Sequence, residues 1–126
     1  MSEPRIRYDD TSDTLYIAFA PGARATGLEL NDHILLRVDQ ANRVAVGLTL
    51  LNFSLLAQPT EMGPRSFALT GLAHLPGESR ELALALLRST PVRDFLALSA
   101  YTPTGDPAEV VPIAALRPER ITPRAA

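Results

Sequence analysis

Short segments in which polar and apolar residues alternate are the feature that most constrains the fold of this chain. In residues 14–19, Leu15, Ile17 and Phe19 fall on one side of an extended backbone, the two-residue period of a strand with one buried face. The same period recurs in three further segments, 5–8, 33–38 and 44–51. Residues that favour turns separate them, so the first half is predicted to form an antiparallel β-meander of about four strands.

Two parts of this pattern are less regular. Residues 24–30 predict either a short edge strand or an extended loop. Residues 44–51 are small or apolar on both faces, so we expect something to cover the second face of that strand as well. Within this segment, Gly47 indicates a bulge or the close approach of a neighbouring backbone.

The second half of the chain has a different composition. A stretch containing Pro and Gly at 58–65 is predicted to be a linker. The chain then divides into a β-meander in 1–57 and a helical extension in 66–126, which packs on the sheet or on a second subunit. Together these predictions place the chain in the α+β class.

Two elements are predicted within this extension. Residues 79–89 form a helix, with acids near its start and Arg88 in its last turn, as the helix dipole favours. The interior of that helix is apolar all round, which predicts burial on most sides. Residues 110–114 predict a short strand, placed at a sheet edge because Pro112 cannot donate a backbone hydrogen bond.

Composition excludes several classes of site. The 126 residues include no cysteine, which excludes disulfides, zinc ribbons and thiol catalysis. All 12 basic residues are arginine, which excludes lysine Schiff bases and lysine-containing phosphate loops. The net charge is −2, with −3 in residues 1–63 and +1 in 64–126, so neither half has the basic excess of a nucleic-acid-binding domain.

The same sequence predicts a cytoplasmic location. The N-terminal residues lack the apolar stretch of a signal peptide, and no apolar run is long enough to span a bilayer. A chain without cysteine is also compatible with a reducing compartment. We therefore expect a cytoplasmic protein that does not insert into membranes.

The strand segments also carry a recognisable order of residues. They read Arg5-Ile6-Arg7-Tyr8-Asp9-Asp10, Asp13-Thr14-Leu15-Tyr16-Ile17-Ala18-Phe19, His33-Ile34-Leu35-Leu36-Arg37-Val38-Asp39 and Val46-Gly47-Leu48-Thr49-Leu50-Leu51. In order and spacing, this part of the chain, roughly residues 5–57, resembles the uncharacterised bacterial family DUF2283. The resemblance implies a small antiparallel β-meander and carries no agreed activity, substrate or catalytic residue. Some relatives are suspected of lying beside toxin-like genes, which suggests an antitoxin-like partner role.

Two groups of residues could bind a metal ion. Asp9, Asp10 and Asp13 supply carboxylates at short spacing, but they lack the spacing and the glycine of a calcium loop, so we interpret them as turn acids that bond to nearby backbone. His33 and His74 could ligate a metal only if the fold brought them together with a carboxylate. We interpret both as surface or interface histidines, and no metal or cofactor is predicted.

Catalytic signatures are also missing from the sequence. No serine lies in a G-x-S-x-G elbow, and no glycine-rich phosphate loop is present. We predict a non-enzymatic protein with no catalytic residues. Arg5, Arg7 and Arg37 are expected to share the outer face of the sheet with Tyr16, a combination found on nucleic-acid-binding sheets. Because the first half is acidic, cross-strand pairs with acids are the favoured use of these arginines, and no nucleic-acid partner is predicted.

An open sheet and an apolar helix leave more apolar surface than a small sheet alone can bury. A homodimer or a protein partner would cover this surface, and so would the second half of the chain by folding back onto the sheet. We favour association, and the hypothesis is a non-enzymatic interaction or homodimerising module. The alternative is a small-ligand binder or an enzyme with its pocket between sheet and helix.

Overall fold

The computed structural model describes residues 4–20, 22–61, 63–101 and 111–117. Within them lie ten strands: β1 (Arg5–Asp9), β2 (Thr14–Ala18), β3 (Thr26–Glu29), β4 (Ile34–Asp39), β5 (Val44–Leu51), β6 (Pro59–Thr60), β7 (Gly63–Pro64), β8 (Ser66–Ala68), β9 (Leu96–Tyr101) and β10 (Val111–Leu116). The α-helices are α1 (Phe53–Leu56) and α2 (Gly77–Leu87). Two 3₁₀ turns are present, the first at Thr70–His74 and the second at Val92–Asp94.

The first half forms one antiparallel sheet of five strands in the order β1-β2-β5-β4-β3. This confirms the predicted α+β class with an antiparallel sheet. The weakly patterned segment at 24–30 supplies the fifth strand, β3, at an edge. The order departs from a simple meander in one respect, because β2 pairs with β5 instead of β3.

Alternation along the strands places apolar side chains on one face of this sheet. Leu15 pairs with Leu50, and Ile17 pairs with Leu48, so two rows of large side chains run across the middle of the sheet. These four side chains are at most 1 % exposed. Burial of a side chain of this size stabilises the fold by about 1.5–3 kcal/mol. The two-residue period in the sequence therefore determines which face of the sheet is buried.

The second half closes this core. Strands β8, β10 and β9 form a second antiparallel sheet, in that order. Leu69, Leu87, Leu96 and other residues of this half belong to the same buried cluster as Leu15 and Leu48. The halves are joined directly where the backbone N–H of Gly71 donates to the carbonyl of Leu30 over 2.7 Å. Core closure by the second half, over which the sequence analysis had favoured association, is therefore present in the fold.

The predicted edge position of the last strand is wrong, because β10 is the central strand of the second sheet. Pro112 is tolerated there for a local reason. Its carbonyl accepts the backbone N–H of Leu69 over 2.9 Å, so the missing N–H of the proline faces the same side. On that side β8 ends at Ala68, so the one bond that Pro112 cannot donate lies just past the end of the β8–β10 ladder. Residue 110, where the strand was predicted to begin, lies outside the described residues.

Helix α2 also differs from its prediction. Leu82, Ala83 and Leu87 are buried, whereas Ala85 is exposed and Leu84 is only half-buried. The helix therefore covers the core with one side and leaves its other apolar side accessible. A helix sequence that is apolar around its whole circumference does not show which side packs against a neighbouring element. The accessible side of α2 forms part of the groove described next.

Candidate functional site

The accessible side of α2 forms one wall of an apolar groove with a volume of about 720 Å³. The other walls are the first 3₁₀ turn and strands β9 and β10. The lining residues are Leu69, Thr70, Leu72, Ala73, Arg80, Leu84, Arg88, Leu98, Ser99, Ala100, Val111 and Pro112. A volume of this size lies in the range of small-molecule sites, about 300–1,000 Å³. The groove is thus large enough to bind a small molecule.

Charge in the groove is of one sign. Arg80, Leu84 and Arg88 follow each other at four-residue intervals, which places them on one face of α2. Both arginines are exposed, and within the described part of the chain neither guanidinium group makes an ion pair or a hydrogen bond. No Asp or Glu is among the lining residues. The groove therefore combines an apolar floor with two cations that have no counterion from these residues.

The groove contains little that could perform catalysis. Thr70 and Ser99 supply the only hydroxyl groups among its described lining residues, and no His, Asp or Glu is among those residues. Thr70 also lines a neighbouring polar pocket that contains Glu29, Asp32 and His74. Nucleophilic catalysis by a hydroxyl needs such a base within hydrogen-bonding reach. The arrangement is suited to binding.

A second group of polar residues lies at one end of the five-stranded sheet, around Asp13. The Tyr8 hydroxyl donates to Asp13 Oδ1 over 2.7 Å, and the Ser54 hydroxyl donates to Oδ2 over 2.5 Å. The Ser54 backbone N–H also donates to Oδ1 over 3.1 Å. Hydrogen bonds from Ser54 first, and then from Tyr8, lower the pKa of Asp13. Asp13 therefore ties the β1–β2 turn to the start of α1.

The predicted metal candidates are used differently. Asp9 accepts the backbone N–H of Thr11 over 3.0 Å, so both Asp9 and Asp13 serve the turn and its neighbours. Nowhere in the described ranges do three or more His, Cys, Asp or Glu side chains gather as a metal site. The carboxylates of Asp9 and Asp13 thus have hydrogen-bond partners that explain their positions, whereas the exposed Asp10 has none within the described residues.

The two histidines occupy separate surroundings. His33 Nδ1 lies 3.1 Å from the side-chain nitrogen of Asn52. His74 instead lines a second, polar pocket of about 510 Å³ with Glu29 and Asp32, and His33 does not line it. Ser54 donates its hydroxyl hydrogen bond directly to Asp13, with no histidine between them. These residues therefore do not form a Ser-His-Asp triad.

The outer face of the five-stranded sheet holds the expected arginines. Arg7 pairs with Tyr16, and its guanidinium carbon lies 4.5 Å from the centre of that ring. Arg37 pairs with Gly47 on the same face, and Arg5 pairs with Ala18. The expected cross-strand ion pairs with acids are not found among the described residues, where a cation–π contact engages Arg7 instead.

Gly47 explains one more part of the sequence pattern. A Cβ at this position would lie 2.6 Å from the backbone oxygen of Ile17 on the neighbouring strand. Tyr8, Asp13 and Gly47 thus each have a structural role in joining adjacent elements.

Residues 5–54 match the DUF2283 family of proteins of unknown function. The DUF2283 match covers the five-stranded sheet and the start of α1, and every residue lining the groove lies outside it.

No curated protein and no solved structure gave a significant match to the chain. In addition, none of the helices in the described ranges has the length and hydrophobicity needed to cross a bilayer.

Sequence reasoning gave a pocket between sheet and helix only as an alternative, without its lining residues, and it missed the Asp13–Ser54 link. The groove had a signal in the sequence, since Arg80 and Arg88 lie four residues before and four residues after Leu84 in the leucine-rich helix. The link between Asp13 and Ser54 had none, because 41 residues separate the partners.

The Asp13 link predicts a stability that depends on pH. Because the folded pKa of Asp13 is lowered, its contribution is present above the unfolded pKa and is lost as the pH falls through the folded pKa. We expect Asp13→Asn to lower the Tm at neutral pH and to reduce the loss of Tm on acidification below about pH 4. Thermal unfolding followed by circular dichroism between pH 7 and pH 3 measures both effects.

The matched control is Asp10→Asn in the same turn, because the Asp10 side chain is exposed and makes no hydrogen bond within the described residues. Ser54→Ala should reproduce part of the Asp13→Asn effect, since it removes the hydroxyl donor. Equal Tm profiles for the Asp13 and Asp10 variants would contradict the proposed link.

Proposed function

We propose that this protein is a non-enzymatic interaction module that forms a homodimer by pairing the β9 strands of two copies. The observation that carries this proposal is the edge of β9, which pairs with no further strand among the described residues. It is the last strand of the second sheet, and it lies beside the apolar groove. Sheet edges of this kind pair readily with a strand from another chain.

The hydrogen-bond pattern defines which groups β9 offers. The backbone N–H of Arg117 donates to the carbonyl of Phe95 over 2.9 Å, so this pair is hydrogen-bonded across the β9–β10 ladder. Because hydrogen-bonded and open pairs alternate in an antiparallel ladder, Leu96, Leu98 and Ala100 direct their backbone groups away from β10. Leu96 is fully buried and Leu98 is half-buried, so the accessible part of this edge that supports antiparallel pairing with an identical strand is at Leu98 and Ala100.

The opposite edge of this sheet is less suited to association. Strand β8 has three residues, whereas β9 has six. Antiparallel pairing of β9 with a second copy is also self-complementary, as a two-fold axis requires. Such a dimer joins two three-stranded sheets into one and brings two grooves close to a common axis.

The proposal extends to location and to the class of partner. The cysteine-free composition supports a cytoplasmic protein, and the match to DUF2283 supports a bacterial one. An antitoxin-like protein would use the same edge for a different partner. The homodimer is favoured here because the edge can pair with itself without a second sequence.

The test is the mass of the assembled protein. The native chain is expected at twice the 13.6 kDa of one chain in native mass spectrometry and light scattering at micromolar concentration. Ala100→Pro removes a donor directed to the open edge and adds a ring there, so it should give a folded protein of single-chain mass. Ala100→Val keeps the donor and should remain dimeric.

A native chain that stays monomeric at all concentrations would contradict this proposal. An Ala100→Pro variant that stays dimeric would also contradict it. A complex with a second, different protein recovered from the source cells would replace the homodimer with the antitoxin-like arrangement.

A further inference from the structure

The groove beside α2 has a chemistry that the β9 dimer does not use. Its floor is formed by aliphatic side chains, among them Leu69, Leu72 and Leu84. Burial of an alkyl chain against such a floor removes apolar surface from water and is favourable. A ligand for this floor therefore has a flexible apolar chain.

Two arginines at the rim of the groove determine the head group that the ligand can carry. Arg80 and Arg88 stand on one face of α2, separated by about 12 Å along the helix axis at 1.5 Å per residue. Neither guanidinium has a counterion among the described residues, and no acid is among the described residues that line the groove. Guanidinium groups present paired N–H donors that match the two oxygens of a carboxylate. Charge complementarity therefore calls for an anionic head group.

We propose that this groove binds a single-chain carboxylate amphiphile of the fatty-acid class, with the alkyl chain on the leucine floor and the carboxylate held by the rim arginines. The ligand has one chain because the groove volume, about 720 Å³, corresponds to one small-molecule site. No covalent step is involved.

Two further lining residues agree with this assignment. Thr70 and Ser99 supply hydroxyl groups at the wall of the groove, and both are exposed. Their hydroxyl groups can donate hydrogen bonds to a carboxylate, and as neutral groups they can also bond to an uncharged ligand. Leu84 lies between the two arginines on α2 and is half-buried, so it meets both the floor and the rim.

The experiment is calorimetric titration of the full chain with dodecanoate, kept below its micelle concentration, in parallel with dodecanol and dodecyl phosphate. We expect saturable binding of one dodecanoate per chain and at least tenfold weaker binding of dodecanol. Hydrogen bonds to charged groups are worth enough to account for a tenfold difference or more.

Variants assign the binding to the groove. The double variant Arg80→Gln/Arg88→Gln should weaken dodecanoate binding at least tenfold and leave dodecanol binding within twofold. Arg93→Gln is the matched control, because Arg93 is an exposed arginine that does not line the groove. Leu84→Trp adds volume to the floor and should remove binding of both ligands, with an unchanged circular dichroism spectrum as the check on folding.

Four results would overturn the proposal. They are no saturable dodecanoate binding, dodecanol bound as tightly as dodecanoate, unchanged dodecanoate binding by the double arginine variant, and dodecyl phosphate bound more than tenfold more tightly than dodecanoate. The last would assign the rim to a phosphate head group. Because these variants leave the β9 edge unchanged, the mass of the assembly tests the dimer separately.

Discussion

Replacement of Gly71 by alanine is expected to destabilise the fold by about 3–5 kcal/mol, the largest effect that we predict for a single substitution. A Cβ at this position would lie 2.1 Å from the carbonyl oxygen of Glu29 and 3.0 Å from its carbonyl carbon. Both atoms belong to backbone, which cannot rotate out of the way. The first 3₁₀ turn would have to move off the sheet and lose the hydrogen bond from Gly71 to Leu30.

The loss of stability expected for Gly71→Ala combines two free-energy costs that normally occur separately. Overpacking costs about 1–3 kcal/mol, and a buried backbone group left without its partner costs about 1–3 kcal/mol more. Equilibrium unfolding in urea, followed by circular dichroism, gives the free energy of unfolding of the variant and the native protein.

Gly77→Ala is the matched control for this prediction. Gly77 begins α2, and a Cβ there would meet no atom within 4 Å. Alanine at that position should be neutral or stabilising by up to about 1 kcal/mol. A Gly71→Ala protein as stable as the Gly77→Ala protein would show that the second half is not held to the sheet as described.

Replacement of Gly47 by alanine is expected to cost about 1–3 kcal/mol, toward the upper end of that range. The new Cβ would lie 2.6 Å from the Ile17 carbonyl oxygen, in the middle of the β2–β5 ladder. The neighbour is again backbone, so relief requires the two central strands to separate. Because Gly47 is buried within the segment matched by DUF2283, the loss should appear in the five-stranded sheet.

Hydrogen exchange can locate this damage. Amides of β2 and β5 should lose protection in Gly47→Ala, and those of β9 and β10 should lose less. Val44→Ala, at an exposed position in the same strand, serves as the control and should change stability by no more than about 0.5 kcal/mol. Unchanged protection in β2 would contradict the close approach inferred at Gly47.

Local pattern was sufficient to predict four of the five strands in the first sheet, and it left residues 24–30 as either a short edge strand or an extended loop. Alternation around Leu15 and Leu48 defines a buried face because each one-residue slip would move these side chains to water. The sequence also indicated the close approach at Gly47. It did not determine that β2 pairs with β5, since the choice of partner strand depends on contacts more than 25 residues apart.

The second half was harder to predict because its information is non-local. Pro112 excludes a ladder bond on one side only, and the sequence does not say which side faces a neighbour. The apolar circumference of α2 likewise predicted burial, but burial of Leu87 and accessibility of Leu84 depend on which elements pack against the helix.

The candidate groove was predictable only in outline. A pocket between sheet and helix was one of two hypotheses, and the spacing of Arg80 and Arg88 was visible in the sequence. Their lack of acidic partners among the described residues could be established only in three dimensions.

The shared core has a consequence for how the protein responds to dilution. The apolar face of the five-stranded sheet is covered by residues of the same chain, such as Leu69, Leu87 and Leu96. A shorter chain carrying this sheet alone would have to recruit cover from another molecule, and its folding would then weaken as its concentration fell. Here the cover is intramolecular, so completion of the core is independent of concentration. Any shift of the unfolding midpoint with protein concentration would therefore report on contacts between chains, of which the β9 edge is the proposed source.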